Sequence, residues 1–65
     1  MDIKIIKIYI GYDEILNQLL ANLQSMRITN EGKAKEIIDI QGNGLQKLRH
    51  DNLKNFEDYL KEHTA

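Results

Sequence analysis

The chain of 65 residues contains no cysteine, no proline, no tryptophan and no valine. Without thiols, a disulfide framework, a thiolate zinc site, an iron–sulfur cluster and a cysteine nucleophile are all excluded. A cysteine-free domain of this size is typical of a reducing compartment, which points to the cytoplasm. An excess of charge of one sign is also lacking. Nine Lys and Arg stand against ten Asp and Glu, a formal net charge of −1. That gives neither the basic footprint of a dedicated nucleic-acid binder nor the acidic saturation of a DNA mimic. No apolar run approaches the ~20 residues of a membrane-spanning helix. The Ile-rich start is interrupted by Lys4 and Lys7, and no small-residue cleavage site follows, so no signal peptide is expected.

What is present is an ordinary globular composition, 42% apolar and 29% charged. The length allows one small domain over residues 1–65. So short a chain buries only roughly 60% of the surface its unfolded form exposes. With no disulfide or evident metal site to compensate, self-association as a homodimer is expected.

Residues 3–10 read Ile-Lys-Ile-Ile-Lys-Ile-Tyr-Ile. The β-branched and aromatic density predicts a strand with two mostly apolar faces, broken by Gly11. Asp13 is a candidate N-cap. Ile15, Leu16, Leu19, Leu20, Leu23 and Met26 then recur at helical spacing and predict an amphipathic helix ending near Met26. Arg27 to Lys33 is a connector with turn chemistry at Asn30-Glu31-Gly32-Lys33, and Arg27-Ile28-Thr29 could pair as a short strand before it. Ala34 to Gln41, with Ile37, Ile38 and Ile40, predicts a further strand, closed by Gly42-Asn43-Gly44.

Asn43 and Gln46 match a capping box. Leu45, Leu48, Leu53, Phe56, Tyr59 and Leu60 mark a second helix to about Glu62, weakest at Asp51-Asn52. Residues 62–65 are expected to fray. The expected fold is therefore α+β, in the order β-α-(β)β-α, with two helices packed on a sheet of two or three strands. The expected core is Ile6, Ile8, Leu16, Leu19, Leu20, Leu23, Ile38, Leu48, Phe56 and Leu60.

A strand followed by two helices resembles the ribbon–helix–helix repressors, and helix–hairpin–helix order resembles small phage head–tail connector proteins. The third strand-like run at Lys35 to Gln41 departs from the first pattern, and the extra first strand from the second. No site residue is carried over from either.

Candidate sites are few. Gly42-Asn43-Gly44-Leu45-Gln46-Lys47 would set a Gly-rich turn before a helix, where free amides can hold an anion. It lacks the longer Gly-Lys-Ser/Thr ending of a phosphate loop, and capping by Asn43 accounts for it. Within the expected second helix, Lys47, Arg49, His50 and Lys54 come first and Glu57, Asp58 and Glu62 last, against the macrodipole. Lys47, His50 and Lys54, joined by Lys33 and Lys35 if the fold allows, form a candidate basic patch for an acidic protein surface or a phosphate backbone. Tyr9 and Tyr12 flank Gly11 and are candidate partner-binding aromatics, by interface packing or, on a basic surface, by stacking bases.

His50 and His63 are the only histidines and do not share the spacing of two ligands on a helix face, so no metal site is expected. Ser25 is the only serine, and no catalytic constellation or cofactor motif accompanies it. The expected function is a small non-enzymatic protein-interaction module, a homodimer acting as regulator, adaptor or inhibitor of another protein. Two alternatives stand beside it. One is a nucleic-acid-binding regulator using the basic face of the second helix. The other is a structural subunit of a larger assembly such as a phage particle.

Overall fold

Ile6, Tyr9, Asp13, Leu16, Leu20 and Leu23 are spaced alternately three and four residues apart. So are Lys35, Ile38, Gly42, Leu45, Arg49, Asn52, Phe56 and Tyr59. Such spacing holds side chains on one stripe of a helix and is the signature of a two-helix seam. In the computed structural model, which describes residues 2–64, this period governs the whole chain. Helix α1 runs over Ile3–Thr29 and helix α2 over Lys33–Thr64. They fold back on each other as an antiparallel hairpin of 50 × 15 × 10 Å. Both stripes meet at the seam: every residue named above is buried or half-buried, except Arg49.

No strand exists among the described residues, so the α+β expectation is corrected to an all-helical hairpin. The run Ile3 to Ile10 is the first two turns of α1, and Gly11 does not break it. Arg27-Ile28-Thr29 is the last turn of the same helix. Ala34 to Gln41 lies in α2, and Gly42-Asn43-Gly44 is helical rather than a capped turn. Asp51-Asn52 causes no break. The helix continues to Thr64, past the expected fraying point at 62, while Ala65 lies outside the described residues.

Local preference explains the misreading, and the seam explains the outcome. Isoleucine loses only a few tenths of a kcal/mol in a helix relative to the best formers. Interior glycine costs about 1 kcal/mol. No proline interrupts either segment. Once one stripe is packed, each added residue gains a hydrogen bond, and helices of 27 and 32 residues propagate through weak formers.

The ends are tied locally. Asp2, not Asp13, caps α1: its side chain accepts from the Lys4 amide at 2.9 Å. At the other end Asn30 Nδ2 donates to the Met26 carbonyl at 2.7 Å, and the Thr29 hydroxyl reaches the same oxygen at 3.1 Å. The chain then reverses at Gly32, whose φ of +66° lies in the left-handed region, as the turn chemistry at 30–33 led one to expect. Because α2 begins at Lys33, the residues from Lys47 to Lys54 lie in its middle rather than at its positive end. Its first turn holds Lys33, Lys35 and Glu36 and its last holds Lys61, Glu62 and His63, a mixture that gains little from the macrodipole.

Only Leu16 and Ile38 of the expected core are buried, at 2% and 7% exposure. Ile6, Leu20, Leu23, Phe56 and Leu60 are half-buried. Ile8, Leu19 and Leu48 are 67%, 43% and 46% exposed and belong to no core. A two-helix layer has one seam, and a residue off that seam has nothing to pack against.

Two glycines give opposite expectations. A Cβ at Gly42 meets no atom within 4 Å, so Gly42→Ala is expected to stabilise the hairpin by about 1 kcal/mol. Gly32→Ala, forced to positive φ, is expected to destabilise it by about 1 kcal/mol or more. Thermal unfolding followed by circular dichroism distinguishes the signs; a Gly42→Ala chain that melts earlier contradicts the helical assignment of 42–44.

Candidate functional site

The two flanks of the seam differ in chemistry. One carries both ion pairs. Arg27 Nε lies 2.6 Å from Asp39 Oδ1 near the turn, and Arg49 Nε lies 3.0 Å from Asp13 Oδ1 halfway along. Gln24 and Gln46 complete that polar side. Arg27, Asp39 and Arg49 are well solvated and Asp13 is partly so, and each pair contributes about 1 kcal/mol or less. Their value is in alignment, since each joins one residue of α1 to one of α2 at a fixed register.

Within the seam, Asn52 is buried and its Nδ2 donates to the Tyr9 carbonyl at 3.1 Å. Tyr9 stacks on Phe56 with ring centroids 5.1 Å apart and lies 5.9 Å from Tyr59. Tyr59 in turn stands 4.4 Å from the His63 ring and accepts a hydrogen bond from the Asp2 amide at 3.0 Å. The open end of the hairpin is thus closed by an aromatic cluster.

The other flank is apolar. A groove of about 660 Å³ runs between the helices, lined by Leu19, Leu23 and Met26 of α1 and Gly44, Leu45 and Leu48 of α2. It belongs to a longer pair of stripes. On α1 the positions Ile8, Tyr12, Ile15, Leu19, Asn22 and Met26 follow the same three–four spacing, one position beside the seam, and every one is exposed. They include no charge. The facing stripe of α2, from Ile37 through Gln41, Gly44 and Leu48 to Asn55, carries Asp51 as its single charge.

The expected site residues are divided by this arrangement. Lys47, His50 and Lys54 are exposed and, at spacings of three and four, share one outward stripe of α2. Asp51, Glu57 and Asp58 neighbour them on the same helix. Lys33 begins α2, and Lys35 is half-buried at the seam. Tyr9 is committed to the aromatic cluster. Tyr12, 40% exposed, lies on the apolar flank, away from the lysines. In the sequence Met26 was expected at the end of an apolar helix face, Gly44 in a turn before the second helix, and Leu19 and Leu48 in the core. The signal was there: a second stripe of large apolar side chains beside the first on α1 is more than one seam can cover.

Among the described residues no group of three or more acidic, histidine or cysteine side chains could hold a metal ion, and no helix is long and apolar enough to cross a membrane. The chain matches no family model, no curated protein and no solved structure.

Asn52 offers a test of how the seam divides stability from alignment. The Tyr9 carbonyl lies inside α1 and keeps its helical partner if Asn52 is removed. Asn52→Leu is therefore expected to add apolar contact at no orphaned acceptor, raising Tm by roughly 4–8 °C for ~1 kcal/mol. Faster amide exchange around Tyr9 and Tyr59 is the expected accompanying sign of looser register. A lower Tm means the amide contributes more than the leucine.

Proposed function

We propose that the chain is a small non-enzymatic protein-interaction module in the cytoplasm, acting as a regulator or adaptor, and that its apolar flank is the working surface. The observation that carries the reading is the uncharged stripe from Ile8 to Met26, exposed along its whole length beside a groove. Isolated surface leucines are common, but a contiguous apolar strip of this length is a feature of docking surfaces. Large apolar side chains there give contact area, while the polar flank keeps the hairpin dissolved and in register. The groove is open along its side, which suits a helix or another flat surface better than an enclosed small molecule. The basic stripe at Lys47, His50 and Lys54 is short and interleaved with acids, so phosphate binding has weaker support.

In dilute solution the folded chain is expected to enhance the fluorescence of 1-anilinonaphthalene-8-sulfonate. The double variant Leu19→Glu, Leu48→Glu is expected to lose most of that signal while keeping its far-ultraviolet helical spectrum. Enhancement unchanged by the double variant rules the groove out as the apolar surface. A gel shift of DNA or RNA at low salt, abolished by Lys47→Glu with Lys54→Glu, moves the function to the basic stripe instead.

A further inference from the structure

We propose that the occupant of the apolar flank is a second copy of this chain, seated face to face about a two-fold axis so that two hairpins close into a four-helix bundle. The proposal rests on the docking reading above and names its partner.

Area is the first support. A compact monomer of 7.6 kDa exposes about 4,300 Å². This chain exposes 5268 Å², about 1,000 Å² beyond what compactness requires. A stable dimer of standard size removes about 800 Å² from each partner. The excess therefore matches one such interface, and the apolar flank is the surface positioned to supply it. One layer of two helices becomes two layers around a single core, the arrangement in which helical stripes are normally buried.

Charge is the second. A two-fold interface sets the same surface against itself, so any like charge near the axis meets its own copy. The α1 stripe has no charged residue, and the α2 stripe, continued past Asn55, carries its acids Asp51, Asp58 and Glu62 all beyond the groove. The flank is thus compatible with itself, whereas it offers a strongly charged partner nothing to pair with. Both ion pairs lie on the opposite flank and remain solvated in such a dimer.

Shape is the third. Gly44 sits in the groove across from Leu19, in the interior of α2, where glycine costs about 1 kcal/mol. A Cβ there would meet nothing within 4 Å, so nothing in the chain's own packing calls for glycine. The missing side chain leaves a notch between Leu45 and Leu48 that an opposing bulky side chain can enter as a knob enters a hole.

The test is absolute mass by sedimentation equilibrium over about a hundredfold range of concentration. A dimer that does not grow further is expected. Leu19→Glu, present twice in a two-fold interface, is expected to weaken it by about a hundredfold or more. Leu53→Glu, on the polar flank, is expected to leave it unchanged. Gly44→Leu is expected to keep the monomer fold, since a Cβ there meets nothing within 4 Å and leucine favours the helix, and to weaken the dimer about tenfold by filling the notch. Pyrene attached at Asn22→Cys is expected to give excimer emission, and pyrene at His50→Cys none.

A wild-type monomer throughout the range overturns the proposal, as does a dimer indifferent to Leu19→Glu or a series of growing oligomers. If that monomer still binds the apolar dye through Leu19 and Leu48, the docking reading stands with a different partner. If it binds none, both readings fall.

Discussion

A two-helix hairpin has a single seam in which to exclude water, and everything else in this molecule follows from how little that seam can hold. Leu16 and Ile38 are the only apolar side chains buried there among the described residues. Each such side chain contributes about 1.5–3 kcal/mol, against an ordering cost of about 1–2 kcal/mol for every backbone residue fixed. The seam therefore cannot be wasteful. It places aromatic area at the open end, aliphatic side chains in the middle, and buries one amide, that of Asn52, against a carbonyl it can reach. The ion pairs add alignment more than energy. Of the apolar side chains left over, Ile3, Ile10, Ile28, Ile40 and Leu53 are scattered over the rest of the surface, while Ile8, Ile15, Leu19, Met26 and Leu48 gather on one flank beside the groove.

That division makes the hairpin two-sided. Arg27–Asp39 and Asp13–Arg49 hold the register from the polar flank, so the opposite flank is free to be apolar without loosening the pair of helices. On the proposed reading, stability of the chain and recognition by it fall to different edges of one seam. Substitutions on the apolar edge should thus affect association more than the fold. The Lys47, His50 and Lys54 stripe faces away from the seam and makes no contact within it.

Much of the architecture was legible in the central part of α1, where Leu16, Leu19, Leu20 and Leu23 leave no doubt about a helical period. The turn at Asn30–Lys33 was legible too, because Gly32 occupies the one position that needs positive φ. The sheet was misread where isoleucines cluster. At Ile3, Ile5, Ile6, Ile8 and Ile10 the same residues satisfy alternation and helical spacing, and β-branched preference tips the choice wrongly. At Gly42 and Gly44 the glycines read as punctuation, although a seam that continues on both sides carries a helix through them. Local preference is worth tenths of a kcal/mol per residue, whereas the three–four stripe extends unbroken to Tyr59. The candidate surface was half visible. Tyr12 was singled out beside Gly11 at the end of a strand and lies instead on the apolar flank of a helix, and Leu19 and Leu48 were placed inside a core that a single layer does not have.

The geometry of the seam also orders events in time. Its specific contacts run from Arg27–Asp39, twelve residues apart in sequence, to Asp2–Tyr59, fifty-seven apart. Loop-closure entropy rises with that separation, and each contact made shortens the loop the next must close. The hairpin is built to zip from Gly32 outward, with the Arg27–Asp39 pair as its first clasp and the Tyr9–Phe56–Tyr59 cluster as its last. Unzipping along the same path is expected to open the aromatic end first and the groove beside Leu19 and Gly44, nearer the turn, later.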